Sequence, residues 1–279
     1  MKLVCIVDNC VRSGGLWGEH GLSFLIETPH GNVLWDTSTS GELLAHNWAA
    51  LGLDKKPVSA IALSHSHYDH TGGLPTALKL TGDVPVYAHT AIFDARFSAR
   101  GGVRRHIGLW KKREELEAAA EFRLSGDPTA IVPGVTTTGT VAPRPYPLST
   151  AGHLSVERDG RIMPDDYLDD MSLILDVEGG IVLLCGCCHS GLRNTLATVR
   201  RYRQEPLLAI IGGTHLAAVS RAEIEAIAQA LRQERVPRLY LNHCTGENAV
   251  FALRQLLGKR VGSCGAGTVL EFPSNGEQA

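Results

Sequence analysis

With 279 residues, 44% of them hydrophobic, the chain has enough apolar material for a sizeable core, as one large domain or two small ones. Its 27 basic and 29 acidic residues leave a formal charge of −2, which excludes a global field that would recruit nucleic acid or an anionic membrane. No apolar stretch approaches the roughly 20 residues of a membrane span, and Asp8 interrupts the first apolar run too early for a signal peptide. A cytoplasmic protein without membrane contact is therefore expected. Seven cysteines, three of them crowded at Cys185, Cys187 and Cys188, fit reduced thiols better than a disulfide framework.

Along the chain, short β-branched or leucine-rich runs between polar turns predict strands at 3–7, 22–27, 32–35, 60–63 and 84–88. A second series is predicted at 173–177, 181–184, 207–211, 238–241 and 268–272. Pro29-His30-Gly31-Asn32 reads as a hairpin turn. Ser40 is placed to cap a helix in which Leu44, Trp48 and Leu51 share a face and which Gly52 ends. Ser220 and Glu223 form a capping box ahead of the stripe Ile224, Ile227, Ala228 and Leu231.

The segment 91–133 fits this alternation least well. It gathers Arg96, Arg100, Arg104, Arg105, Lys111, Lys112 and Arg113 around a Gly101-Gly102 break, the composition of a lid or rim insertion. Good helix formers at 112–122 predict a solvated helix. A second reading makes Arg104 and Arg105 a substrate-binding clamp for phosphate or carboxylate, which arginine grips bidentately. Early strands that neighbour one another, and later strands that alternate with helices, predict two mixed α/β halves. Packed face to face they would form a four-layer αββα sandwich, a single domain over 1–279 with residues 274–279 frayed.

The run predicted to end at residue 63 leads straight into Ser64-His65-Ser66-His67-Tyr68-Asp69-His70-Thr71-Gly72-Gly73. Three imidazoles and a carboxylate thus fall within six residues of a strand end. Alternate residues of an extended segment point the same way, so His65 and His67 can grip one ion while the turn sends Asp69 and His70 toward a second. In a chain with 12 histidines, chance placement of such a run has a probability on the order of 10⁻³.

This motif resembles that of the metallo-β-lactamase superfamily. Within it, the chain is similar to the methanopterin-type dihydropteroate synthase-like group, also called metal-dependent hydrolases. Supporting segments are Glu19-His20-Gly21-Leu22-Ser23, Leu34-Trp35-Asp36-Thr37, Asp169-Asp170-Met171-Ser172, Gly186-Cys187-Cys188-His189-Ser190-Gly191, Gly212-Gly213-Thr214-His215 and His243-Cys244-Thr245-Gly246.

The resemblance implies a dinuclear centre of divalent metal, zinc in first place with iron or manganese as alternatives. The first metal would take His65, His67 and a third histidine; the second would take Asp69, His70 and His243. The third histidine normally lies in a turn that here reads Thr138-Gly139-Thr140, so His189 is the better candidate and His153 the lesser one. Cys187 falls near the place of a bridging aspartate, either as a bridging thiolate or as a small buried hydrophobe. His215 is expected to act as proton donor to the leaving group, and Asp69 to orient the nucleophile as well as ligate. Asp36 is expected to hold the motif turn, with His20 and Asp170 bordering the pocket. His30, His46, His89 and His106 read as structural or exposed.

The expected activity is hydrolysis of a phosphoester-type or other ester-type small molecule by a metal-bound hydroxide. Two alternatives stand beside it: a pterin-related transferase of the 7,8-dihydropterin-6-yl-methyl-4-(β-D-ribofuranosyl)aminobenzene 5'-phosphate synthase type, and a non-catalytic metal-bearing ligand sensor.

Overall fold

The computed structural model describes residues 1–149 and 152–273; the terminus expected to fray, 274–279, lies outside the described residues. The first half runs β1 (Lys2–Val7), β2 (Ser23–Glu27), β3 (Val33–Trp35), α1 (Gly41–Ala50), β4 (Ala60–Ala62), α2 (Tyr68–Thr71), α3 (Leu74–Thr81) and β5 (Val86–Ala88). The middle runs β6 (Ala95–Ser98), β7 (Arg105–His106), α4 (Arg113–Glu117), β8 (Phe122–Leu124), β9 (Ala130–Val132), β10 (Val135–Thr137), β11 (Leu154–Arg158) and β12 (Arg161–Pro164). The last part runs β13 (Ser172–Val177), β14 (Gly180–Cys185), α5 (Leu192–Tyr202), β15 (Leu207–Gly212), α6 (Arg221–Gln233), β16 (Arg238–Leu241), α7 (Glu247–Leu257), β17 (Val261–Ser263) and β18 (Val269–Glu271).

Two seven-stranded sheets form among the described residues, in the orders β18-β1-β2-β3-β4-β5-β8 and β17-β16-β15-β14-β13-β10-β9. Successive strand side chains point to opposite faces, and here both faces are apolar. Leu3 and Cys5 of β1, with Val182 and Leu184 of β14, enter one cluster between the sheets. Their neighbours Val4 and Ile6 turn outward to pack with Leu44 and Trp48 of α1 and Leu74 of α3. Ile181 and Leu183 turn the other way, against Leu196 of α5, Ile227 of α6 and Leu253 of α7. Helices therefore cover the outer faces of both sheets, which is the four-layer αββα sandwich.

The helix starts follow the caps. Ser40 Oγ accepts the Leu43 N–H at 3.3 Å, and Ser220 Oγ accepts the Glu223 N–H at 3.2 Å. The middle of the chain departs from expectation. The helix expected over 112–122 is limited to α4, because Phe122 joins β8 in parallel register with Val86 and packs on Phe93 at 5.3 Å. Sheet pairing and partial burial of that ring override local helix propensity. The segment 91–133 also supplies β6 and β7 to a small sheet ordered β12-β11-β6-β7, and places β8 and β9 at the edges of the large sheets.

All seven cysteines are free. Among the described residues no helix is long and apolar enough to cross a membrane.

Strands β1, β3 and β4 share one direction, as do β14, β15 and β16. Their C-terminal ends deliver Asp8, Asp36, the 64–70 loop, Cys187, His189, His215 and His243 to the chain's densest collection of imidazoles.

Candidate metal centre

The loop after β4 is held from several sides. Asp36, in the left-handed region at φ 56°, follows β3 and accepts the Ser64 N–H at 2.7 Å through Oδ1. Its Oδ2 accepts the Ser64 hydroxyl and pairs with His70 Nδ1, each at 2.7 Å. Gly186, at the end of β14, lies so close that a Cβ there would stand 2.2 Å from Ser64 Oγ, so only glycine lets the second sheet meet the motif.

His65, His67 and His189 form a first group of donors, with ring nitrogens within 4.8 Å of one another and all three side chains buried. His65 Nδ1 bonds Ser64 Oγ at 2.9 Å, whereas Nε2 of His65, Nε2 of His67 and both nitrogens of His189 have no hydrogen-bond partner. Tyr167 stacks on His189 with ring centroids 4.5 Å apart and planes 7° from parallel.

Asp69, His70 and His243 form a second group. His70 Nε2 lies 3.2 Å from His243 Nε2, and Asp69 Oδ2 lies 3.3 Å from His243 Nε2 and 3.7 Å from His70 Nε2. Ligands about 2.0–2.1 Å from a tetrahedral cation stand about 3.3–3.4 Å apart, so these separations match the edges of such a site. Bonds to the other ring nitrogen fix how each imidazole faces the group: His70 Nδ1 to Asp36, and His243 Nδ1 to Asn9 Oδ1 at 2.8 Å. His243 takes φ 48°, and its N–H is accepted by Asp8 Oδ1 at 2.8 Å. Cys187 Sγ lies 3.2 Å from His70 Nε2 and belongs to compact donor groups with both His65/His70 and His243/Cys244.

Burial sets the protonation states. It drives His65 and His189 well below the ordinary imidazole range, His67 to about 3 and His243 to about 4. For His70 burial works in the same direction, but Asp36 and Asp69 outweigh it and raise the value. Burial would raise Asp69, yet His70 and the bonds from His20 and His243 hold it well below the carboxylate range. His20 Nε2 reaches Asp69 Oδ2 at 3.1 Å, and this bond raises the His20 value. Asp170 is pushed up to about 6 by burial, although its Oδ2 accepts the Ser190 N–H at 2.7 Å.

A cavity of about 190 Å³ opens over the two groups, with His20, Asp69, Cys187, His189 and His215 in its wall. His215 packs against His189 at 4.3 Å between centroids, and burial lowers its pKa. The cationic side chain at the cavity is Arg100, whose Nε donates to His153 Nε2 at 3.1 Å. Neither Arg104 nor Arg105 lines this cavity: Arg104 lies over the Phe97 ring and Arg105 sits exposed on β7. His153, the lesser candidate for third ligand, is at the rim and outside the His65/His67/His189 group.

Asp8, Asn9, Cys244 and the buried Arg96 network were not singled out from sequence. Arg96 is fully buried, donates to Ser66 Oγ at 2.7 Å, and pairs with Asp169 at 2.7 Å and Asp165 at 3.1 Å. Asp169 Oδ2 in turn accepts the Ser66 N–H at 2.8 Å.

Comparison with known proteins extends this picture. The family model of the metallo-beta-lactamase superfamily matches residues 16–187. The chain is 30% identical over 277 residues to 7,8-dihydropterin-6-methyl-4-(beta-D-ribofuranosyl)-aminobenzene-5'-phosphate synthase of Methanocaldococcus jannaschii, covering 95% of this chain and 94% of the relative. Among solved structures, Tm1679, a metal-dependent hydrolase of the beta-lactamase superfamily, superposes with a TM-score of 0.86 at 28% identity, covering 98% of this chain and 100% of that one. A diphosphatase of the PhnP family shares the fold at a TM-score of 0.57 and 13% identity, with 98% of each chain covered.

Proposed function

Because the chain belongs to the metallo-β-lactamase superfamily, we propose that it is a metal-dependent hydrolase acting on an anionic small molecule with a phosphoester-type or other ester-type bond. One observation carries the reading: the partnerless, buried ring nitrogens of His65, His67 and His189 converge beside a second donor group at the foot of a cavity. Buried polar atoms without partners cost free energy, and a cation would remove that cost. Imidazoles held neutral by burial are already in the state that ligates.

His65, His67 and His189 would hold one divalent ion, and Asp69, His70 and His243 a second, with Cys187 beside the second group, its Sγ 3.2 Å from His70 Nε2. Zinc suits this nitrogen, sulfur and oxygen set best. When bound, such ions supply Lewis-acid polarisation of the attacked phosphoryl or carbonyl group and make water more acidic. Asp69 accepts a hydrogen bond from the attacking water and aims it, while Asp36 and Asn9 keep His70 and His243 facing inward. His215, in the cavity wall, delivers a proton to the leaving oxygen once substrate charge raises its pKa. Arg100, in the turn between β6 and β7, and the small sheet below it form the rim that meets the anionic part of the substrate.

A second reading is supported by the 30% identity to the methanococcal synthase over nearly the whole chain. In it, the metal that the same residues would hold would supply charge neutralisation for a departing diphosphate, and an aromatic amine would take the place of water as nucleophile. Assay of the zinc-loaded protein on phosphomonoesters, phosphodiesters, a lactone and a dihydropterin diphosphate, with and without an arylamine acceptor, separates the readings. Turnover with water alone supports the hydrolase. Turnover only with the acceptor overturns it in favour of the transferase, and metallated but inert protein leaves the sensor.

A further inference from the structure

Cys10 is exposed, and the other six cysteines divide into two kinds by what surrounds them. Cys185 and Cys188 lie in the apolar cluster under the helices of the second sheet, and Cys5 and Cys264 lie in the cluster between the sheets. These four behave as small hydrophobes. Cys187 and Cys244 lie in neither cluster and both line the polar cavity over the candidate metal centre. Their sulfurs and a ring nitrogen of His243 fall within 4.8 Å of one another.

We propose that Cys244 joins Cys187 and His243 in a thiolate-rich second metal position, one that selects zinc or a similarly soft divalent cation over magnesium and manganese. This rests on the metal-dependent reading above and specifies its second position.

The backbone is built for the purpose. Adjacent side chains of an extended strand diverge to opposite faces, yet His243 and Cys244 both reach the centre. The left-handed conformation of His243, φ 48°, makes the turn that allows it. Such a conformation is uncommon for a residue with a Cβ and costs free energy. Cys244 Sγ is further held by the His215 N–H, donated at 3.3 Å. Gly213 leaves the necessary space, since a Cβ there would stand 2.7 Å from Cys244 Sγ and 2.4 Å from the Gly186 carbonyl oxygen.

On binding, each thiol releases its proton to solvent as a sulfur–metal bond forms. Two thiolates beside the Asp69 carboxylate more than neutralise a divalent charge, and their sulfurs make this position the softer of the two, while the three-imidazole position keeps the stronger positive field.

The test is titration of the full, metal-stripped chain with cobalt(II) under a phosphine reductant, following the visible ligand-field bands and the near-ultraviolet thiolate-to-cobalt charge-transfer band. Cys244→Ser is expected to lose about half of the charge-transfer intensity per bound cobalt, and the Cys187→Ser/Cys244→Ser double variant nearly all of it, with ligand-field bands retained. To guard against a misfolded variant, zinc-edge X-ray absorption on the unmutated protein counts the sulfurs. About two per pair of zinc ions, near 2.3 Å, is expected. An undiminished charge-transfer band in Cys244→Ser, or only about one sulfur per zinc pair, overturns the proposal while leaving the metal centre in place. Failure to bind cobalt or zinc at all overturns both.

Discussion

Arg96 and Asp169 meet at 2.7 Å with neither side chain exposed to solvent, directly behind the residue that separates two histidines of the metal motif. Through Ser66, whose hydroxyl and N–H are both taken by this pair, the small sheet that carries Arg96 is tied to the loop that carries His65 and His67. Removing one partner of a buried ion pair leaves an uncompensated charge. Arg96→Met is therefore expected to cost about 3–5 kcal/mol of stability, measured by urea unfolding. A loss below 1 kcal/mol, within the range of an exposed pair, would show that the network does not hold the loop.

Asp36 fixes the His70 ring by taking its Nδ1 side at 2.7 Å. Asp36→Asn is expected to weaken metal binding about 10–100-fold by loosening that orientation, as seen when outer partners of ligating histidines are removed. Metal competition against a chromophoric chelator measures it; unchanged affinity would show that His70 is held by other contacts.

The parts of the molecule that were legible in the sequence are those whose signal is local. Near-continuous apolar runs such as 173–177 are strands because both sheet faces are buried, and Ser40 and Ser220 cap helices through bonds three residues away. His65 to His70 stand together in sequence because one loop carries them. The Arg96 network was not legible, since its acids lie 69 and 73 residues from the arginine and nothing in the run of charges separates a buried guanidinium from a solvated one. Cys244 was hidden for a similar reason: its approach to Cys187 depends on one backbone angle at His243. Phe122 lies in a strand and not in the expected helix because that strand is made by pairing with β5 and not by its own neighbours.

His215 is placed to protonate the leaving group without holding metal. His215→Asn is expected to lower kcat by about 10²–10⁴ on substrates with poor leaving groups, with metal content unchanged. A nitrophenyl substrate, whose leaving group needs no proton, should lose much less. Loss of metal from this variant would make His215 a ligand instead.

The buried imidazoles predict an acid-sensitive metal-free protein. His67 at about 3 and His243 at about 4 both lie below the ordinary value of 6.5, and His65 and His189 lie well below it. Groups with depressed folded values contribute stability that is present above the unfolded value and is lost as pH falls toward the folded one. Asp8 and Asp170, both pushed up to about 6 by burial, act oppositely: their contribution is present at low pH and lost as pH rises through about 6. The four imidazoles outweigh the two carboxyls, so the urea midpoint of the metal-free protein should be lower at pH 5 than at pH 7. A higher midpoint at pH 5 would show that the carboxyls dominate.

The most direct test of the dinuclear centre is the metal content of the purified, zinc-reconstituted protein beside that of His189→Ala. About two zinc ions per chain, falling toward one in the variant with hydrolysis lost, is the expected result. Equal zinc content in the two proteins would remove His189 from the centre and contradict the three-imidazole position on which the proposed function stands.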